Sequence, residues 1–87
     1  MDDELIDERS LSKLKWRSRR GLLENDLFIE RFFDRHGARL TVREAAALNQ
    51  LMDLGDNDLL DLLLRRREPE GAINTGDVRH VLEMLRT

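Results

Sequence analysis

Thr75-Gly76-Asp77-Val78-Arg79-His80-Val81-Leu82-Glu83-Met84-Leu85-Arg86 sets the class of the whole chain. Val78, Val81, Leu82 and Leu85 stand at i, i+3, i+4 and i+7, the spacing of a single apolar helix face. Asn74 or Thr75 can cap the start of that helix. Working backwards, Arg65 to Gly71 holds Pro69, the one proline, among charges and reads as a surface loop. Before it, Leu59-Leu60-Asp61-Leu62-Leu63-Leu64 is apolar on nearly every side, as expected for the buried centre of a small bundle, with Asp56 or Asn57 as its cap.

Thr41-Val42-Arg43-Glu44 has the capping-box spacing and opens a helix to about Asp53, with Ala45, Leu48, Leu51 and Met52 inward and Gly55 ending it. A further helix runs from Gly21 or Leu22 to Arg35, its stripe formed by Leu23, Leu27 and Phe32-Phe33 and widened by Leu22, Phe28 and Ile29. His36-Gly37 closes it, a cation-capable residue followed by a glycine able to take a left-handed cap. The first helix spans about Ser10 to Arg19, capped by Ser10 or Ser12, with Leu11, Leu14 and Ser18 on one face and Trp16 off it. Residues 1–9, rich in acids, read as a disordered acidic tail, and residues 10–87 as one domain. The fold class is all-α, a compact bundle of five short helices.

Composition narrows the function. Eighty-seven residues form one domain with a simple core, and no tyrosine and few β-branched residues argue against sheets. The absence of cysteine removes disulfides, thiolate chemistry and cysteine-ligated metals. The chain has no run long enough to span a bilayer, and its start is acidic where a leader would be basic, so a cytoplasmic protein without membrane insertion is expected. His36 and His80 lie at no triad-like or ligand-like spacing. Asp53, Asp56, Asn57 and Asp58 lack the spacing, glycine and glutamate of a calcium loop, so no metal site and no catalytic residue is assigned.

One stretch remains for function: Trp16-Arg17-Ser18-Arg19-Arg20-Gly21-Leu22-Leu23-Glu24, whose first part closes the run from Arg9 to Arg20 with six cations and no acid. Read plainly, Gly21 is a hinge and Arg20 and Glu24 form a surface pair worth about 0.2–0.5 kcal/mol. Nucleic-acid binding would use the cations on phosphates, but the net charge of −3 opposes it. Protein binding fits better. Tryptophan and arginine are the usual interface anchors, glycine admits close approach, and both charge signs sit on one patch.

At these residues the chain resembles the small succinate dehydrogenase assembly-factor family, the FAD assembly or flavinylation factors of bacteria and mitochondria. The family's Arg-Gly-x-x-Glu is matched by Arg20-Gly21-Leu22-Leu23-Glu24. Trp16-Arg17-Ser18-Arg19, Asn25-Asp26-Leu27, Phe32-Phe33, Asp56-Asn57-Asp58-Leu59-Leu60, Glu68-Pro69 and the closing helix resemble it in order and spacing. After Asp58-Leu59 the family often carries a tryptophan and then a glycine, and Leu62 and Arg65 stand there in this chain.

The resemblance implies an assembly chaperone, not an enzyme. It would bind the succinate dehydrogenase flavoprotein subunit, and that of fumarate reductase, and promote covalent attachment of FAD to a histidine there. It would hold no cofactor stably and work as a monomer. Its partner-binding residues would be Trp16, Arg17, Arg19, Arg20, Gly21 and Glu24. The alternative that the resemblance carries is an antitoxin-type partner of a small membrane-associated protein.

Overall fold

The computed structural model describes residues 4–19 and 23–86. Five α-helices follow one another among them: α1 Glu8–Ser18, α2 Leu23–His36, α3 Val42–Met52, α4 Asp56–Leu63 and α5 Gly76–Arg86. Short 3-10 turns occupy Gly37–Arg39 and Gly71–Ile73. The five-helix, all-α bundle expected from the sequence is what forms.

The capping box of α3 is complete. The Glu44 N–H donates to Thr41 Oγ1 and the Thr41 N–H donates to Glu44 Oε1, each at 3.0 Å. Two otherwise orphaned donors at the helix start are thereby satisfied. At α5 the Val78 N–H donates to Thr75 Oγ1 at 3.2 Å, so Thr75 is the cap. Val78, Val81, Leu82 and Leu85 are all buried, as are Ala45, Leu48, Leu51 and Met52 of α3. These two faces meet, and α3 on α5 is the most extensive helix pairing of the bundle. Helix α2 packs on α4 and α5, and its Ile29, Phe32 and Phe33 are buried. The rings of Phe32 and Phe33 meet edge to face with centroids 5.2 Å apart, the favoured aromatic arrangement.

Several expectations are corrected. Helix α1 starts at Glu8, because Asp7 and neither serine caps it: the Ser10 N–H donates to Asp7 Oδ1 at 2.8 Å. Within the stretch read as a disordered tail, residues 4–6 run beside residues 40–42. The Ile6 N–H donates to the Leu40 carbonyl at 3.0 Å, and the Val42 N–H to the Glu4 carbonyl at 2.7 Å. Ile6 packs against the core, which gives this strap an apolar anchor that an all-acidic tail would lack.

Helix α4 is one-sided and does not form the buried centre. Leu59, Leu62 and Leu63 face inward while Leu64 is 42% exposed. Its first residue is Asp56, preceded by Gly55 with no side-chain cap. Gly37 opens a 3-10 turn and takes no left-handed cap, a conformation found at Arg65 and Gly71, both with φ 64°. Leu27, expected in the inward stripe of α2, is 58% exposed.

Candidate functional site

The cationic end of α1 and the outer side of α2 form one continuous surface. Trp16 is 74% exposed, and the Arg19 guanidinium lies over its ring at 5.6 Å from the centroid, a cation–π contact. The same helix turns its other side inward. Ser18 is fully buried and its hydroxyl donates to the Leu14 carbonyl at 2.7 Å, which satisfies the hydroxyl inside the core. So α1 is held by Leu14 and Ser18 and displays Trp16 and Arg19 outward.

Arg17 is used within the fold. Its guanidinium pairs with Asp53 at the C-terminal end of α3, tying α1 to the α3–α4 corner. With both side chains substantially exposed, the pair contributes about 0–1 kcal/mol. Glu24, in the first turn of α2, is exposed, and its carboxylate has no hydrogen-bond or ion-pair partner among the described residues. Arg20 and Gly21 lie outside the described residues, so their expected roles, and the expected Arg20–Glu24 pair, have no geometry here.

Two grooves of about 550 Å³ each flank α2. The first lies between α1 and α2. Lys15 and Arg19 form one wall, Asp26, Glu30 and Asp34 the other, and Ile29 and Phe33 the floor. The second lies on the far side, where Leu27, Phe28 and Leu64 meet Glu24 and Arg31. Glu30 and Asp34 border both, forming an acidic ridge between them. The sequence reading missed Leu27, Phe28 and Leu64 as surface residues. The available signal was that 24, 27, 28 and 31 share one helical face, opposite Asn25, Ile29 and Phe32.

Asn25 sits beneath this surface. It is fully buried, donates from Nδ2 to the Asp56 carbonyl at 3.0 Å, and anchors the first turn of α2 to the start of α4. Its Oδ1 has no partner among the described residues. His36 packs its ring against Phe32, with centroids 5.5 Å apart. His80, on α5, has its Nε2 2.9 Å from Glu44 Oε2. Burial pushes the Glu44 carboxyl up, but hydrogen bonds from Thr41 and His80 outweigh it and hold the group below the ordinary glutamate value. Among the described residues no group of three or more histidines and carboxylates could hold a metal ion, and no helix is long and apolar enough to cross a membrane. What the surface offers is recognition: an exposed indole, forked cations, a carboxylate with no partner among the described residues, and apolar side chains on two packed helices.

Comparison with known proteins points the same way. Residues 12–87 match the family described as Flavinator of succinate dehydrogenase. The chain is 55% identical over 80 residues to the FAD assembly factor SdhE of Ralstonia nicotianae, covering 92% of this chain and 84% of that one. It is 42% identical over 60 residues to the FAD assembly factor SdhE of Coxiella burnetii, covering 69% and 73% of the two chains. With that of Pseudomonas aeruginosa it shares 32% identity over 81 residues, covering 93% and 92%. No solved structure matches the chain. With the match running from α1 through α5 and the relatives aligned over most of their lengths, the chain belongs to the family of succinate dehydrogenase flavinators.

Proposed function

We propose that this chain is an assembly factor that binds the flavoprotein subunit of succinate dehydrogenase and promotes covalent attachment of FAD to it. The observation that carries the reading is the family match over residues 12–87, together with curated relatives that bear the name FAD assembly factor. Bond formation belongs to the flavoprotein and its flavin. This chain contributes binding and orientation, holds no cofactor stably and acts as a monomer in the cytoplasm, with the fumarate reductase flavoprotein as a second client.

The roles divide by chemistry. Arg20 offers a planar fork that suits a carboxylate or carbonyl of the partner. Gly21 lets the partner backbone close over it, because it has no Cβ. Glu24, unpaired among the described residues and exposed, accepts from a partner donor and fixes register with Arg20. Trp16 and Arg19 extend the contact as a stacked pair, and aromatic and arginine side chains are the usual anchors of such interfaces. Arg17, exposed and paired with Asp53, extends the same patch.

The test is in-gel flavin fluorescence of the host's succinate dehydrogenase flavoprotein. Cells lacking this gene are compared with cells complemented by wild type and by Gly21→Arg, the variant first shown folded by circular dichroism. Fluorescence lost without the gene, restored by wild type and absent with Gly21→Arg is the expected pattern. Equal fluorescence in all three cultures overturns the reading, and co-purification with a small membrane protein would then favour the antitoxin alternative.

A further inference from the structure

We infer that the outer face of α2, completed by Leu64 at the end of α4, seats a segment of the flavoprotein subunit that carries an apolar side chain beside a lysine or arginine. The inference rests on the proposed function and assigns the partner's apolar contact to a part of this chain outside the Arg-Gly-x-x-Glu motif.

Glu24, Leu27, Phe28 and Arg31 recur at i, i+3, i+4 and i+7 and share one face of α2. Leu27 is 58% exposed and Leu64 42%, whereas Ile29, Phe32 and Phe33 on the other side of the helix are buried. Phe28 is half-buried, packed on the core from this same side. Together Leu27, Phe28 and Leu64 line a groove of about 550 Å³. Isolated surface leucines need no explanation, but two of them from different helices, meeting over a phenylalanine in a concave site, form a contiguous apolar seat.

The rim states what fits. Among the described residues, Glu24, Glu30 and Asp34 line the groove against one cation, Arg31, whose guanidinium lies 5.5 Å from the Phe28 ring centroid. Three carboxylates against one guanidinium leave the described part of the rim two charges negative. Such a rim repels the pyrophosphate of a flavin dinucleotide and the backbone of a nucleic acid, and attracts a basic protein segment. This groove therefore receives protein, and the flavin does not enter it.

Continuity names the protein. Glu24 is at once the last residue of the motif and a rim residue of this groove, and Leu27 lies one turn along the same face. Side chains so placed are about 5–6 Å apart, so a partner engaging Glu24 also covers Leu27. The acidic ridge of Glu30 and Asp34 then separates this apolar contact from the basic Lys15 and Arg19 wall of the neighbouring groove. A partner spanning both meets opposite charge signs across one helix, which fixes its direction.

The experiment titrates the isolated apo-flavoprotein subunit with wild type, Leu27→Ser/Leu64→Ser, Glu30→Lys/Asp34→Lys and Glu24→Ala, each first checked by circular dichroism. Leu27→Ser alone replaces the double variant if that one fails to fold. The expected result is a loss of at least about fivefold in affinity for the leucine and the charge-reversal variants, with free FAD failing to compete. Loss confined to Glu24→Ala, with the leucine variant nearer wild type than about fivefold, overturns this inference and leaves the proposed function standing. Absence of wild-type binding, with unaltered flavin in cells lacking the gene, overturns both. Sedimentation that shows a wild-type dimer abolished by Leu27→Ser/Leu64→Ser, with flavoprotein binding untouched, assigns the seat to a second copy and overturns it as well.

Discussion

The Arg86 guanidinium donates twice to one backbone carbonyl, that of Leu62, from Nε at 2.9 Å and from Nη2 at 2.7 Å. The side chain is only 3% exposed, so the last residue of α5 serves as a cap on the C-terminal turn of α4. Its remaining donors reach Glu83 Oε1 at 3.1 Å, Glu68 Oε2 at 3.3 Å and the Arg67 carbonyl at 3.4 Å. One planar fork thus gathers α4, α5 and the intervening loop. That geometry suits the fixed donor array of arginine and no other side chain.

Arg86→Ala is therefore expected to cost about 2–3 kcal/mol, because it removes several hydrogen bonds of a buried guanidinium and leaves the Leu62 carbonyl with only backbone donors, the Arg65 N–H among them. Arg86→Lys should recover less than half of that, since an ammonium cannot reproduce the fork. Urea unfolding followed at 222 nm checks both. Loss of about 0.5 kcal/mol or less in Arg86→Ala would show that the cap is dispensable.

Arg65 is a second feature of the same corner. Its N–H donates to Leu62 O at 3.2 Å and the Arg66 N–H to Asp61 O at 2.9 Å, the paired bonds that end a helix through a left-handed residue. Arg65 itself has φ 64°, a conformation that costs an L-residue about 1–2 kcal/mol and glycine almost nothing. This is the place where the family often carries glycine. Arg65→Gly should raise stability by about 0.5–1 kcal/mol after the larger chain entropy of glycine and the loss of the exposed Arg65–Glu83 pair are subtracted. A midpoint shift to lower urea would contradict the strain argument.

These two residues mark where the sequence was and was not legible. Helices α3 and α5 could be read to within a residue because their signals are local: a capping box, a threonine cap and apolar residues at helical spacing. The strap of residues 4–6 depends on hydrogen bonds to residues 40–42, which no local pattern encodes. The burial of Arg86 depends on where α4 ends in space, and a terminal arginine otherwise reads as solvated. At the candidate site, Trp16, Arg17, Arg19 and Glu24 were legible as exposed residues because they lie off the apolar stripes. The pairing of Arg17 with Asp53 was not, since the two are 36 positions apart. Leu27 was misplaced because α2 has enough apolar residues to draw two stripes, and only packing on α4 and α5 selects one.

Acid should loosen the α3 cap. The Glu44 carboxyl titrates below its ordinary value, so its contribution to stability is complete above the unfolded glutamate pKa of about 4.3. That contribution is lost as pH falls through the lower folded value. Glu44→Gln keeps both arms of the capping box, since the amide oxygen also accepts from the Thr41 N–H, but removes the charge, so its stability should fall less steeply than wild type below about pH 4.3. Urea midpoints measured from pH 7 down to pH 3 provide the comparison, and parallel curves for the two proteins would reject Glu44 as a source of the acid limb.

Trp16 makes the exposed site open to direct measurement, since it is the one tryptophan in the chain and is 74% exposed. An indole already in water changes its surroundings little on unfolding. Its emission maximum should therefore move only slightly across a urea transition that circular dichroism reports as cooperative. Trp16→Ala should accordingly change stability by about 0.5 kcal/mol or less, the range of surface substitutions that break no packing. The same replacement should weaken flavoprotein binding by about tenfold, because a fully covered interface tryptophan commonly contributes more than 1 kcal/mol. The two measurements separate the roles. A folded-state loss of several kcal/mol would place Trp16 in the scaffold, and unchanged affinity with unchanged stability would remove it from the interface. Arg19, stacked on that ring at 5.6 Å, should follow Trp16 in binding and add little when both are replaced, because each holds the other in place.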